Sequence, residues 1–143
     1  ALFLCIGVLY DRMHTRMIKD YGGIVSSMPK FAFIFMVFTL ASIGLPGTSG
    51  FVGEFLVLIA AYEVSGYLAF TTGLGMVLGA AYMLLLYKNV NFGDVKSDIK
   101  MLSDLNRIEL FYFTCLAALT LLLGVYPKLL FKMIDQSIAT GIL

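Results

Sequence analysis

The sequence predicts an all-α, polytopic transmembrane helix bundle of about four spans, one of them a discontinuous helix broken near Pro46–Gly50. Three observations carry this expectation. The 143-residue chain is 60% hydrophobic and only 13% charged, with a mean hydropathy of +0.94, whereas a soluble domain carries about 25% charged residues. Its apolar residues gather in four blocks, 1–10, 31–63, 67–87 and 108–126, separated by polar connections at 11–30 and 88–107 and a very short one at Val64-Ser65-Gly66. Finally, a carboxylate, Glu54, stands inside the second block, just after a run of helix breakers. No internal repeat is evident.

The first block opens at Ala1 and runs straight into Leu2-Phe3-Leu4-Cys5-Ile6-Gly7-Val8-Leu9-Tyr10, with no initiator Met and no basic n-region. It is not a signal peptide. It reads as the last part of a helix, and the chain as the C-terminal fragment of a longer membrane protein.

The second block is the informative one. As one straight helix its 33 residues would run roughly 50 Å at about 1.5 Å per residue, well beyond a hydrocarbon core about 30 Å thick. Split at Pro46 into two spans, each half is marginal and the second reaches only about 20 Å. Charge placement separates the alternatives. Arg12, Arg16, Lys19 and Lys30 lie in the first connection; Lys88, Lys96, Lys100 and Arg107 lie in the last. One crossing puts both basic connections on the same side of the membrane, as the positive-inside rule prefers. The expectation is therefore a single crossing by a broken helix.

The remaining blocks are simpler. Gly75-Met76-Val77-Leu78-Gly79 is a small-xxx-small pattern that permits close approach of a neighbouring helix. Asn106-Arg107-Ile108-Glu109 suits a helix start, with an N-cap and an acid in the first turn. Tyr126-Pro127 ends that helix, because proline cannot continue the hydrogen-bond ladder. Tyr82, Tyr87, Tyr112 and Tyr126 are candidate interfacial anchors, and the mixed tail 127–143 is expected along the membrane interface.

Glu54 is the candidate functional residue. A carboxylate within a membrane is costly, so it faces protein interior or water and marks ion or proton handling. Burial raises a carboxyl pKa and a nearby lysine lowers it, so a site under both influences switches protonation state with small rearrangements. The break residues Pro46, Gly47, Thr48, Ser49 and Gly50 support this, because non-helical backbone at membrane depth is tolerated only where protein or water covers it. Thr48 and Ser49 are suited to satisfying loosened backbone groups or holding water. Two blander readings stand beside these: Glu54 as a neutral acid bonded to a neighbouring helix, and the break as a surface turn. Histidine as a residue type changes charge near neutral pH, so His14 is a second candidate for proton transfer, although a histidine among Arg12, Asp11 and Arg16 also suits a solvated loop. Glu63, Lys30, Lys88, Lys128 and Lys132 sit where charges reach the interface by snorkelling.

Other chemistry is not encoded. Cys5 and Cys115 lie far apart in apolar runs and His14 is the single histidine, so zinc, haem or an iron–sulfur cluster lacks a ligand set. No basic stripe interleaved with aromatics suggests nucleic acid.

Several stretches together resemble the proton-pumping, antiporter-like membrane subunits of NADH:quinone oxidoreductase, of the chain M type in bacteria and the subunit 4 type in mitochondrial respiratory complex I. They are Ala1-Leu2-Phe3-Leu4-Cys5, Leu9-Tyr10-Asp11-Arg12, His14-Thr15-Arg16, Tyr21-Gly22-Gly23, Met28-Pro29, Ser103-Asp104-Leu105-Asn106 and Gly124-Val125-Tyr126-Pro127-Lys128. The most specific is Leu45-Pro46-Gly47-Thr48-Ser49-Gly50-Phe51-Val52-Gly53-Glu54-Phe55, because the related chain L type carries a lysine where Glu54 stands.

The resemblance implies that residues 1–143 are the last four helices of a fourteen-helix antiporter-like fold, with block 31–63 as its discontinuous helix. It implies that Glu54 is the terminal relay carboxylate, through which a proton leaves toward the positive side. The other proton-path groups of the family, a glutamate and lysines on earlier helices and a histidine just before Ala1, lie outside this chain. No cofactor is expected here: NADH, flavin (FMN), iron–sulfur clusters and quinone belong to other subunits. Expected partners are membrane lipid, the remaining N-terminal helices and other membrane-arm subunits, in a bacterial cytoplasmic or mitochondrial inner membrane. The alternatives are a subunit of a multi-chain cation/proton antiporter or membrane-bound hydrogenase, and a non-transporting scaffold.

Overall fold

The computed structural model describes residues 1–95, 99, 102–128 and 131–132. Most of the tail 127–143, together with Lys96 and Lys100, lies outside the described residues. Among the described residues all regular structure is helical: α1 Leu2–Met13, α2 Pro29–Ser42, α3 Ser49–Val64, α4 Gly66–Asn91 and α5 Arg107–Val125. Two short 3-10 turns, Ile18–Asp20 and Ile24–Ser26, shape the connection between α1 and α2.

Local chemistry sets the helix ends. α1 closes on His14, whose left-handed backbone (φ 52°) lets its N–H donate to the Tyr10 carbonyl at 2.7 Å. Pro29 occupies the first turn of α2, where its missing N–H costs nothing. The start of α5 is the expected cap in full: Asn106 Oδ1 accepts from the Glu109 N–H at 2.8 Å, and Glu109 Oε2 accepts from the Asn106 N–H at 2.7 Å. α4 runs to Asn91, beyond the expected end at Tyr87, because Tyr87, Val90 and Asn91 form a buried stripe that continues through the polar residues. The second apolar block is two helices, and the chain is non-helical over 43–48. Ser49 and Gly50, expected within the break, are the first residues of α3.

α2 supplies the centre of the core. Phe31, Ile34, Phe35 and Phe38 are buried with Cys5, Val8 and Leu9 of α1, Tyr87 and Val90 of α4, and Phe113 of α5. Phe35 stacks on Phe31 and meets Tyr87, each with ring centroids 5.6 Å apart, and Phe38 meets Phe113 at 6.0 Å. Tyr87 is thus a core residue and not an interfacial anchor: its hydroxyl donates to the Ala32 carbonyl at 3.1 Å. Tyr82 and Tyr126 are exposed.

The outer faces of α3, α4 and α5 are apolar too, with Phe55, Val57, Phe70, Val77, Leu78 and Phe111 exposed. Helices apolar all round belong in a protein interior or a lipid phase. By length and composition, α4 and α5 are each able to cross a membrane. No described residue approaches Gly75 within 4 Å of where a Cβ would stand, and Gly79 meets only the Tyr82 ring at 3.8 Å. Close helix approach through glycine occurs elsewhere, at Gly50 and Gly124.

Two relationships position the site. The connections 11–30 and 88–107 meet at one end of the bundle, where Arg12 donates to the Ser103 carbonyl at 2.9 Å and Gly22 lies against the carbonyls of Phe92 and Asp94. In addition, α4 and α5 each pack against both α2 and α3, while α2 and α3 share few contacts with each other. Along α4, Tyr87 lies beside Ala32, whereas Thr72 and Met76 lie beside Glu54 and Val57. Along α5, Phe113 lies beside Phe38 and Gly124 beside Gly47 and Thr48.

Candidate functional site: the helix break and Glu54

Between Ser42 and Ser49 the backbone keeps most of its hydrogen bonds by other routes. The Leu45 N–H donates to the Leu40 carbonyl at 3.0 Å, a wider loop than the helical one, and the Thr48 N–H donates to the Leu45 carbonyl at 3.1 Å. The Thr48 hydroxyl, 2% exposed, donates to the same Leu45 carbonyl at 2.7 Å. Of the two uses the sequence suggests for Thr48, this bond corresponds to satisfying a loosened backbone carbonyl. Pro46 is exposed on the outside of the turn.

Glycines make the break compact. Gly50 sits so close to the Ala41 carbonyl that a Cβ would collide with it, which brings the start of α3 against the end of α2. Gly124 does the same from α5: a Cβ there would overlap Gly47 and Thr48. Gly44 adopts φ +73°, which favours glycine, and a Cβ on it would take the place of the Glu54 carboxylate.

Glu54 stands in the second turn of α3 and is half-buried. Helical side chains lean toward the N-terminus, and this one folds back so that its carboxylate rests against Gly44 in the break. Its other side faces a cleft of about 400 Å³ lined by Ser49, Gly50, Gly53, Val57, Thr72 and Met76. Among the described residues no cation forms an ion pair with Glu54, and the Arg12–Glu109 pair does not involve it.

The sequence-predicted residues thus divide. Glu54, Ser49 and Gly50 share one cleft; Gly47 and Thr48 form the backbone that α5 packs on; Pro46 faces outward. His14 is elsewhere, exposed at the end of α1 with its ring edge-on to Tyr10 at 6.1 Å. Thr72, Met76 and Gly124 were not among the sequence candidates for this site. The adjacent hydroxyls of Thr71 and Thr72 within the apolar run of α4 are a sequence signal, but they do not say which of the two faces the cleft. Among the described residues no group of three His, Cys, Asp or Glu side chains gathers to hold a metal.

Fold and site together define an all-α membrane segment that carries a half-buried acid beside the non-helical stretch 43–48. Residues 1–79 match the family model described as NADH:quinone oxidoreductase/Mrp antiporter, transmembrane, and the chain belongs to that family. It is 54% identical over 140 residues to NADH-quinone oxidoreductase subunit M of Rhodobacter capsulatus, covering 97% of this chain and 27% of that protein. It is 49% identical, over 97% of its length and 28% of the relative, to NADH-ubiquinone oxidoreductase chain 4 of Arabidopsis thaliana. Respiratory complex I from Thermus thermophilus contains a similar chain, at TM-score 0.77 and 39% identity, over 87% of this chain and 26% of that one. The chain spans about a quarter of the length of these relatives.

Proposed function

We propose that this chain is the exit segment of a proton-translocating membrane subunit, acting within an NADH:quinone oxidoreductase, with Glu54 as its terminal relay carboxylate. The observation that carries the proposal is the placement of Glu54: a half-buried acid without a described ion-pair partner, seated against non-helical backbone and facing a cleft large enough for water. An acid so placed can take a proton from one side and release it to the other, provided its surroundings change as neighbouring sites titrate.

In this reading α2 and α3 are one discontinuous crossing. Their 14 and 16 residues extend only about 21 and 24 Å, each short of the roughly 30 Å hydrocarbon core. They follow one another along α4 and α5, and the two basic connections lie at a common end, consistent with a single passage. With α1, α4 and α5 the chain then makes about four spans. Its partners are lipid, the preceding helices of the same subunit and other membrane-arm subunits; NADH, FMN, iron–sulfur and quinone chemistry belong to other chains. His14, remote from the cleft, is given no step.

The family description spans oxidoreductase subunits and antiporters. The oxidoreductase reading is favoured because the relatives at 54% and 49% identity carry oxidoreductase names.

The test is Glu54→Gln in the full-length subunit within its assembled complex. Proton pumping and coupled turnover are expected to fall while assembly survives. Normal pumping in the assembled variant overturns the proposal.

A further inference from the structure

Threonines on membrane helices ordinarily return their hydroxyl to the carbonyl one turn back. Thr39, Thr114 and Thr120 do so here, donating to Phe35, Leu110 and Leu116 at 2.7, 2.7 and 2.9 Å. Thr71 does so as well, with Tyr67 and Leu68 carbonyls at 3.3 and 2.9 Å. Thr72 is the exception. Its hydroxyl has no hydrogen bond among the described residues, and the Leu68 carbonyl one turn back already accepts from Thr71 at 2.9 Å. It lines the cleft that Glu54 faces, on the opposite helix.

A hydroxyl gives up that local bond without loss only when another acceptor is in reach. Within the cleft the strong acceptor is the Glu54 carboxylate. The remaining polar side chain there is Ser49, and the other lining residues are glycine, valine and methionine. At about 400 Å³ the cleft exceeds by far the roughly 30 Å³ share of one water, and the three polar groups supply the partners that an ordered water requires.

We infer that Thr72 is a positioning residue for Glu54: its hydroxyl reaches the carboxylate through one water held in the cleft and keeps it turned toward the cleft. This rests on the proton-relay reading of Glu54 and adds α4 to the machinery. When Glu54 is ionised, Thr72 donates to the water and the water donates to the carboxylate. When Glu54 is protonated, the water accepts from the acid O–H or donates to its carbonyl, and Thr72 remains its partner, since a hydroxyl serves both ways. No bond other than hydrogen bonds changes in either state.

The test uses the full-length subunit in its assembled complex, with Thr72→Val, which keeps the shape and removes the hydroxyl, and Thr72→Ser, which keeps the hydroxyl. Loss of a hydrogen bond to a water that serves a charged group corresponds to roughly a tenfold effect. Thr72→Val is expected to lower proton pumping by about that factor, and Thr72→Ser to restore most of it. The infrared carboxyl band that disappears in Glu54→Gln is expected to shift in Thr72→Val and to return in Thr72→Ser. Should the valine variant fail to assemble, Thr72→Ala, which cannot overfill the cleft, takes its place. An unchanged band with unchanged pumping in the hydroxyl-free variant overturns the inference, as does a serine variant as impaired as the valine one. Normal pumping in Glu54→Gln defeats the relay reading instead, and the band still reports whether Thr72 holds the carboxylate.

Discussion

Arg12 and Glu109 form a two-pronged ion pair, Nη1 to Oε1 at 3.1 Å and Nη2 to Oε2 at 2.8 Å, that fastens the end of α1 to the first turn of α5. The same guanidinium also donates to the carbonyls of Ser103, Val8 and Asp104. Glu109 meanwhile accepts the Asn106 N–H that begins α5. A helix cap, a loop and a neighbouring helix therefore depend on one planar cation. Lysine matches the charge but not the fork.

Arg12→Lys is accordingly expected to destabilise the α1–α5 junction by about 2 kcal/mol, the range of a charge-assisted hydrogen bond. Thermal inactivation of the assembled complex measures this. A double-mutant cycle with Glu109→Gln should return a coupling energy clearly above zero. Additive losses would mean that the pair is incidental.

Asp104 caps α2 from across the bundle. Its Oδ2 accepts from the Lys30 N–H at 3.0 Å, and its Oδ1 from the Phe31 N–H at 3.2 Å and the Leu105 N–H at 2.8 Å. Met28, at the cap position itself, offers no side-chain acceptor. Asp104→Ala is expected to cost about 1–2 kcal/mol, as loss of an N-cap does. The amide hydrogens of Lys30 and Phe31 should then exchange faster than in the parent, with Asp104→Asn in between. Unchanged exchange at these two amides would count against the cap.

Gly124 gives α5 its contact with the break, since any Cβ there meets Gly47 and Thr48. Gly124→Leu should separate the helix from the break and lower stability by about 1–3 kcal/mol, the usual cost of overpacking. Assembly yield and thermal stability of the complex are the readouts. A fully stable variant would show that the break tolerates displacement.

Glu54→Asp keeps the charge and shortens the arm by one methylene, so the carboxylate no longer reaches Gly44. If position matters as well as charge, pumping in this variant falls between that of the parent and that of Glu54→Gln. Activity equal to the parent would mean that the seat against Gly44 is dispensable.

Much of the fold is legible in the residues. The apolar blocks, the Asn106–Glu109 cap and the interruption after Ser42 follow from composition, capping chemistry and the breakers Gly44, Pro46 and Gly47. Glu54 is legible as well, because a carboxylate in an apolar run has few inexpensive explanations. The surroundings of Tyr87 and of the Gly75–Gly79 pair are not legible in the residues. Apolarity on all sides of α4 gives no periodic signal for which face meets protein, so an interior tyrosine and an outward glycine pair look alike.

The sequence by itself determined that this is a helical membrane segment of the oxidoreductase and antiporter family, with one acid placed beside a broken stretch of helix. Only the tertiary structure decided what surrounds that acid. It brought Thr72 to the cleft from α4, set Gly124 of α5 against the break, and left His14 exposed at the end of α1. The physical reason is that breakers and caps act over a few residues of chain. The neighbours of Glu54 come from packed faces far away in sequence, and helices apolar on every side do not announce which of those faces will meet.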